Sequence, residues 1–183
     1  MALSSDDLLP GEAVRFAKKA NAVVEVVEAG LQRFATDQLM WMVRMRGSEA
    51  IGGQLHVTNY RLVFCPHFAN RLTGRFSIFL PVISAVRDTS WGIKRQVEVA
   101  TGTHKFTFVA WGIPKLVTAI DGLRQPWNPE QVAWLAQTAI AECGKLGVGL
   151  VPRPSQALRP DMDPHQFVGA MALMELQELA PRT

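Results

Sequence analysis

The stretch Gly53-Gln54-Leu55-His56-Val57-Thr58-Asn59-Tyr60-Arg61-Leu62-Val63-Phe64 decides the fold. Apolar and polar residues alternate along it, the period of a half-buried strand. The alternation slips, however: Leu55 and Val57 lie on one phase, while Tyr60, Leu62 and Phe64 lie on the other. A single strand that buries both sets needs an extra residue near Thr58–Asn59, as a bulge or sharp bend supplies. A strand bent there can serve two sheets, the device by which small barrels turn a corner.

Working outward, Leu39–Arg46 is a compact apolar run, and Gly47–Gly53 holds three glycines and reads as a turn. Downstream, Arg75–Leu80 and Val82–Asp88 are strands divided by Pro81, which cannot sit inside a central ladder. Gln96–Val99 and Lys105–Val109 flank Thr101-Gly102-Thr103 as a hairpin, with Val97, Val99, Phe106 and Phe108 on one side. Ile113, Leu116, Val117, Ile120 and Leu123 then recur at helical spacing behind Pro114. Six antiparallel strands closed by one amphipathic helix make an α+β, mainly β, plan.

The flanks read as helical. In Gly11–Ala29, Val14, Ala17, Val24 and Val27 share a helical face and Gly30 suits a C-terminal cap. The β-branched part, Val23–Val27, would equally suit a strand; helix is the favoured reading. Asn128-Pro129-Glu130 opens a helix that stops at Gly144, and Asp163-Pro164 opens a last one. Between them Gly144–Pro164, with three glycines and four prolines, reads as a loop. The expected organisation is an N-terminal helical extension (1–36), a strand-rich domain (37–125) and a C-terminal helical extension (126–183).

The strand quoted above resembles the signature of GRAM domains, which run roughly G-x-L-x-V-T-N-Y-R-L-x-F. The similarity continues through Phe79-Leu80-Pro81-Val82-Ile83-Ser84-Ala85-Val86 and Lys105-Phe106-Thr107-Phe108 to the closing helix, about half the chain. The resemblance implies a pleckstrin-homology-like (PH-like) antiparallel barrel of two near-orthogonal sheets, plugged by a C-terminal helix. That fold has seven strands, so the seventh lies either in Val23–Val27 or in Pro66–Thr73. The extra helices fall outside the minimal domain and suit a bacterial subgroup. The implied function is recognition of lipid headgroups at a membrane surface.

Composition narrows the alternatives. With 183 residues, 48% hydrophobic and 19% charged, the chain makes one domain with a real core and is not disordered. The uncharged run that most resembles a membrane span, Phe76–Val86, is too short to cross a bilayer, and Asp6 and Asp7 stand where a secretory signal carries bases. Cys65 and Cys143 have no disulfide or metal spacing. A cytoplasmic protein, peripheral at the inner face of a membrane if lipid is its ligand, is expected. Gln32–Trp111 has ten bases against four acids, a net +6, whereas Pro126 onward has four bases against six acids. That middle excess is mostly arginine, suited to phosphate or carboxylate, and too sparse for a nucleic-acid stripe, so nucleic acid is an unlikely partner.

Lipid binding needs bases that reach a phosphate and an apolar tip that enters the interface. The loop Pro66–Arg75 offers Phe68, Arg71, Leu72 and Arg75; Arg44 and Arg46, and the pair Lys94-Arg95, can join it. The turn Ser48-Glu49-Ala50-Ile51 lacks bases, which argues for low specificity. Solvated surface charge is the plainer explanation of all these bases. Cys65 and Arg71 have the C-x5-R spacing of cysteine phosphatases, but Pro66 removes a phosphate-cradling N–H and no helix follows, so no catalysis is expected. His56, His67, His104 and His165 form no ligand pair, and neither metal nor cofactor is expected. Trp41 and Trp111 are assigned to the core, Trp91 to a turn that can expose its ring, and Cys143 to a buried site. The last helix, Pro164–Ala180, is apolar round more than half its circumference, which packing would explain or, failing that, self-association or a protein partner.

Overall fold

A computed structural model of the chain describes residues 3–25, 48–67, 72–124, 126–147, 149–152 and 169–180. Among the described residues eight strands are formed: β1 (Val14–Glu25), β2 (Ser48–Thr58), β3 (Arg61–Pro66), β4 (Leu72–Phe79), β5 (Ala85–Asp88), β6 (Gln96–Ala100), β7 (Lys105–Ala110) and β8 (Gly149–Pro152). With them stand three helices, α1 (Ile113–Leu123), α2 (Pro129–Ala141) and α3 (Gly169–Leu179). The strands hydrogen-bond in the order β5-β6-β7-β1-β2-β3-β4-β8, with every pairing antiparallel. Among the described residues the ladder does not close, because β5 and β8 are its two edges. The mainly β, antiparallel expectation holds, whereas the described residues do not form a closed barrel.

The N-terminal helix is the first correction. Val14–Glu25 is instead β1, a central strand paired with β2 on one side and β7 on the other. Ala20 and Ala22 are buried and Lys19 and Asn21 exposed, a period of two that the alanine content disguised. Val23–Glu25 therefore supply the end of the missing strand. A second correction concerns the phase slip at Thr58–Asn59. It is a two-residue hairpin turn, Asn59-Tyr60, with Val57 opposite Leu62 and Leu55 opposite Phe64. All four side chains are buried, so both phases reach the same core.

The glycine-rich turn expected at Gly47–Gly53 is also overturned, since Ser48–Gly53 begin β2. Gly53 owes its identity to packing. A Cβ there would lie 2.5 Å from the Cys65 carbonyl oxygen and 2.6 Å from the Phe64 ring. Further along, β8 occupies part of the expected Gly144–Pro164 loop and pairs with β4. The expected strand Leu39–Arg46 and the start of the last helix, residues 164–168, lie outside the described residues.

The inner face of the sheet carries the aromatic core. Phe76 lies 5.5 Å from Phe64, 5.9 Å from Phe106 and 6.1 Å from Phe108, centroid to centroid. Ile113, Leu116 and Ile120 of α1 join them; burying each such side chain contributes about 1.5–3 kcal/mol. α2 starts as expected: Asn128 Oδ1 accepts the Gln131 N–H (2.7 Å) and Gln131 returns the bond to the Asn128 N–H (3.1 Å). α3 packs on α2 and β4, with Leu176 buried. Its Glu175 carboxylate accepts from the Thr101 hydroxyl (2.9 Å), the Thr103 N–H (3.1 Å) and the Thr103 hydroxyl, tying the helix to the β6–β7 turn. No helix among the described residues is long and apolar enough to cross a membrane.

Candidate functional site

The residues Thr58-Asn59-Tyr60-Arg61, at the turn between β2 and β3, form a structural knot rather than a binding site. Arg61 is fully buried and bonds Glu12 through Nε (2.9 Å) and Nη2 (3.0 Å). It also donates to the Asp7 carbonyl (2.8 Å), the Ser77 hydroxyl (3.0 Å) and the Lys145 carbonyl (3.3 Å). Glu12 further accepts from the Leu9 N–H (2.7 Å) and the Thr58 hydroxyl (2.7 Å). Asn59 fastens the same segment, accepting from the Ala13 N–H (2.6 Å) and donating to the Gly11 carbonyl (3.1 Å). Tyr60 packs edge-on against Trp127 and Trp134. The N-terminal segment and the turn after α2 are thereby fixed over the outer face of β3 and β4. A base counted toward the positive excess thus has no ligand to offer.

The candidate lipid residues separate. Arg44, Arg46, Phe68 and Arg71 lie outside the described residues. Leu72 opens β4, its backbone opposite Pro152. Arg75 bonds Asp7 at 2.5 Å and is only partly exposed. It belongs to the layer around Arg61, apart from Lys94 and Arg95. Burial would raise the Asp7 pKa, but hydrogen bonds from Ser4 and the Arg75 guanidinium outweigh it and hold the carboxyl below its usual range.

Lys94 and Arg95 instead meet Lys19, Asn21, His67 and Trp111 around a cavity of about 340 Å³. Each arrives for a local reason. Trp91 and Lys94 exchange two 3.0 Å backbone hydrogen bonds across a tight turn, in which Gly92 adopts φ +57°. The Arg95 carbonyl accepts the Ala110 N–H (3.2 Å), which sets that turn beside the end of β7. Trp111 follows directly, and Gly112, at φ +70°, then starts α1 with the Lys18 amine close by. Lys19 and Asn21 project from β1, and His67 lies just past β3 with its N–H on the Gly52 carbonyl (2.9 Å).

The electrostatics favour an anion. Lys19, Lys94 and Arg95 form no ion pair among the described residues, and no carboxylate lines the cavity. Large apolar side chains stand in the open here: Ile93 (95% exposed) and Trp111 (76%) line the cavity, and Trp91 (75%) opens the turn that carries Ile93. The core assignment of Trp111 is therefore wrong, because Phe106, Phe108 and Ala110 take the inward phase of β7 and leave Trp111 on the outward one. Trp91 does expose its ring, whereas Trp41 lies outside the described residues. Cys143 is exposed rather than buried. Cys65 is buried, and burial pushes its thiol pKa up. Among the described residues, no group of three or more His, Cys, Asp or Glu could hold a metal ion.

No family model and no curated protein matches the sequence. Among solved structures, the chain is similar to the C-terminal domain of an unknown protein from Leishmania infantum, with TM-score 0.43 and 19% identity over 63% of this chain and 87% of that one. It is also similar to the Vps36 N-terminal PH domain, with TM-score 0.40 and 12% identity over 67% of this chain and 92% of that one.

Proposed function

We propose that the chain is a non-catalytic, PH-like binding module of GRAM type that recognises anionic lipid headgroups with low specificity. On this reading it works at the inner face of a membrane. The observation that carries the proposal is the groove: three cations without a carboxylate in its lining, and Ile93 and Trp111 at its mouth. Each base near an anionic leaflet contributes about 1 kcal/mol, so the three together account for roughly a hundredfold in affinity. Their heads are held by no ion pair among the described residues, which suits a shared negative surface better than one stereospecific headgroup. Salt screens such an attraction over about 10 Å at 0.1 M.

Absence of catalysis fits the environment of the C-x5-R cysteine. Burial disfavours the Cys65 thiolate, Pro66 has no N–H, and the next N–H, that of His67, is committed to the Gly52 carbonyl. Co-sedimentation with phosphatidylcholine vesicles, with and without about 30 mol% phosphatidylserine, tests the proposal. Binding is expected only to the anionic vesicles, and the double variant Lys94→Glu/Arg95→Glu is expected to lose it. Failure of the unaltered chain to sediment even at low salt would sink the lipid reading and leave the protein-interaction one.

A further inference from the structure

Three exposed apolar side chains in one place need an explanation that headgroup attraction does not supply. Ile93 stands at the tip of a two-residue turn with almost its whole surface in solvent. A single exposed Leu or Ile is ordinary, but a cluster of Trp, Ile and Trp on neighbouring turns is not. The turn itself is rigid. It is closed by the reciprocal Trp91–Lys94 backbone bonds and anchored to β7 through Arg95 and Ala110, which fixes where its side chains leave the main chain.

We propose that Trp91, Ile93 and Trp111 form a wedge that enters the interfacial layer of an anionic bilayer while Lys19, Lys94 and Arg95 hold the phosphates around it. The inference rests on the lipid reading above and deepens it from surface attraction to insertion. Charge complementarity commits the wedge to this occupant. Bases outnumber acids around the apolar tip, with Lys19, Lys94 and Arg95 against Asp88, whose carboxyl the Ser90 hydrogen bonds and the nearby Arg95 hold in its charged form. Tryptophan suits the headgroup level, where its ring is buried and its N–H stays wet. Lysine stems reach back to the phosphates from beside an inserted tip. Two signals, apolar insertion and charge, make reversible anchoring stable where either alone is marginal.

The test places an environment-sensitive fluorophore at the tip. Ile93→Cys is labelled in a Cys143→Ser background, Cys65 being buried, and is mixed with phosphatidylcholine vesicles containing about 30 mol% phosphatidylserine. The emission is expected to shift to the blue and to be quenched by lipids brominated in the upper acyl chain. The same label at Gln137→Cys, on the solvent side of α2, is expected to report no change. Ile93→Ser is expected to weaken binding about tenfold at high salt, since burying such a side chain gives a tenfold gain or more. Sedimentation with the vesicles but no emission change at position 93 would overturn insertion and leave headgroup binding standing. Failure to sediment at low salt would overturn both.

Discussion

Arg61 and Arg95 show two opposite uses of the same side chain. Arg61 is 0% exposed, and its guanidinium meets a carboxylate, a hydroxyl and two carbonyls. Arg95 stands in the open beside Lys94, with no ion pair among the described residues and with apolar side chains bare around it. The first arrangement satisfies every strong donor internally and leaves nothing for a ligand. The second leaves solvated charge and exposed apolar surface side by side, the combination that marks a contact surface. Binding and stability should therefore separate cleanly between the two regions.

The largest expected effect breaks the knot. Arg61→Met leaves Glu12 charged and buried without its cation, which costs about 3–5 kcal/mol. Urea unfolding is the check, and a midpoint close to that of the unaltered chain would show that the knot is not holding the N-terminal segment. Gly53→Ala is expected to cost less, about 1–3 kcal/mol, because both the Cys65 backbone carbonyl and the Phe64 ring must shift to admit the methyl group. A smaller effect follows from His56, whose imidazole is buried with Nε2 unbonded among the described residues and whose pKa burial lowers from 6.5. The unfolded chain then binds a proton that the folded one resists. Stability is full above about pH 6.5 and falls as the pH drops below it, until the lowered folded pKa is reached. Urea midpoints measured across that range should show the slope, and His56→Gln should flatten it.

Much of this division could be read in the sequence, and the misses have physical causes. The β6–β7 hairpin, α1 and the start of α2 were legible because Thr101-Gly102-Thr103, Pro114 and Asn128-Pro129 are local signals that packing does not override. β1 was hidden by composition: Ala17, Ala20 and Ala22 favour a helix on propensity, yet here small residues let β1 sit at the centre of the sheet. The Asn59-Tyr60 turn reads as a bulge in the sequence because it contains no glycine. Its geometry is imposed by Thr58, whose hydroxyl accepts the N–H groups of Tyr60 and Arg61 at 3.1 and 2.9 Å. The groove was half visible. Lys94 and Arg95 stand out as adjacent bases, but the helix-like composition of β1 hides Lys19, and the size and apolarity of Trp111 suggest a core position. Strict alternation from Phe106 through Phe108 and Ala110 would have placed Trp111 outside.

The groove is expected to give the smallest stability effect of all, and that makes it the sharpest arm of the comparison. Lys94→Glu/Arg95→Glu should leave the urea midpoint nearly unchanged, within about 0.5 kcal/mol, because neither side chain supports the fold. The same preparation should lose at least about a hundredfold in affinity for phosphatidylserine-containing vesicles, two attractive charges having become repulsive. Measuring both quantities on that one protein tests the central claim most directly. An intact midpoint with abolished vesicle binding is the expected result. An intact midpoint with vesicle binding undiminished would contradict the assignment of the groove as the lipid site.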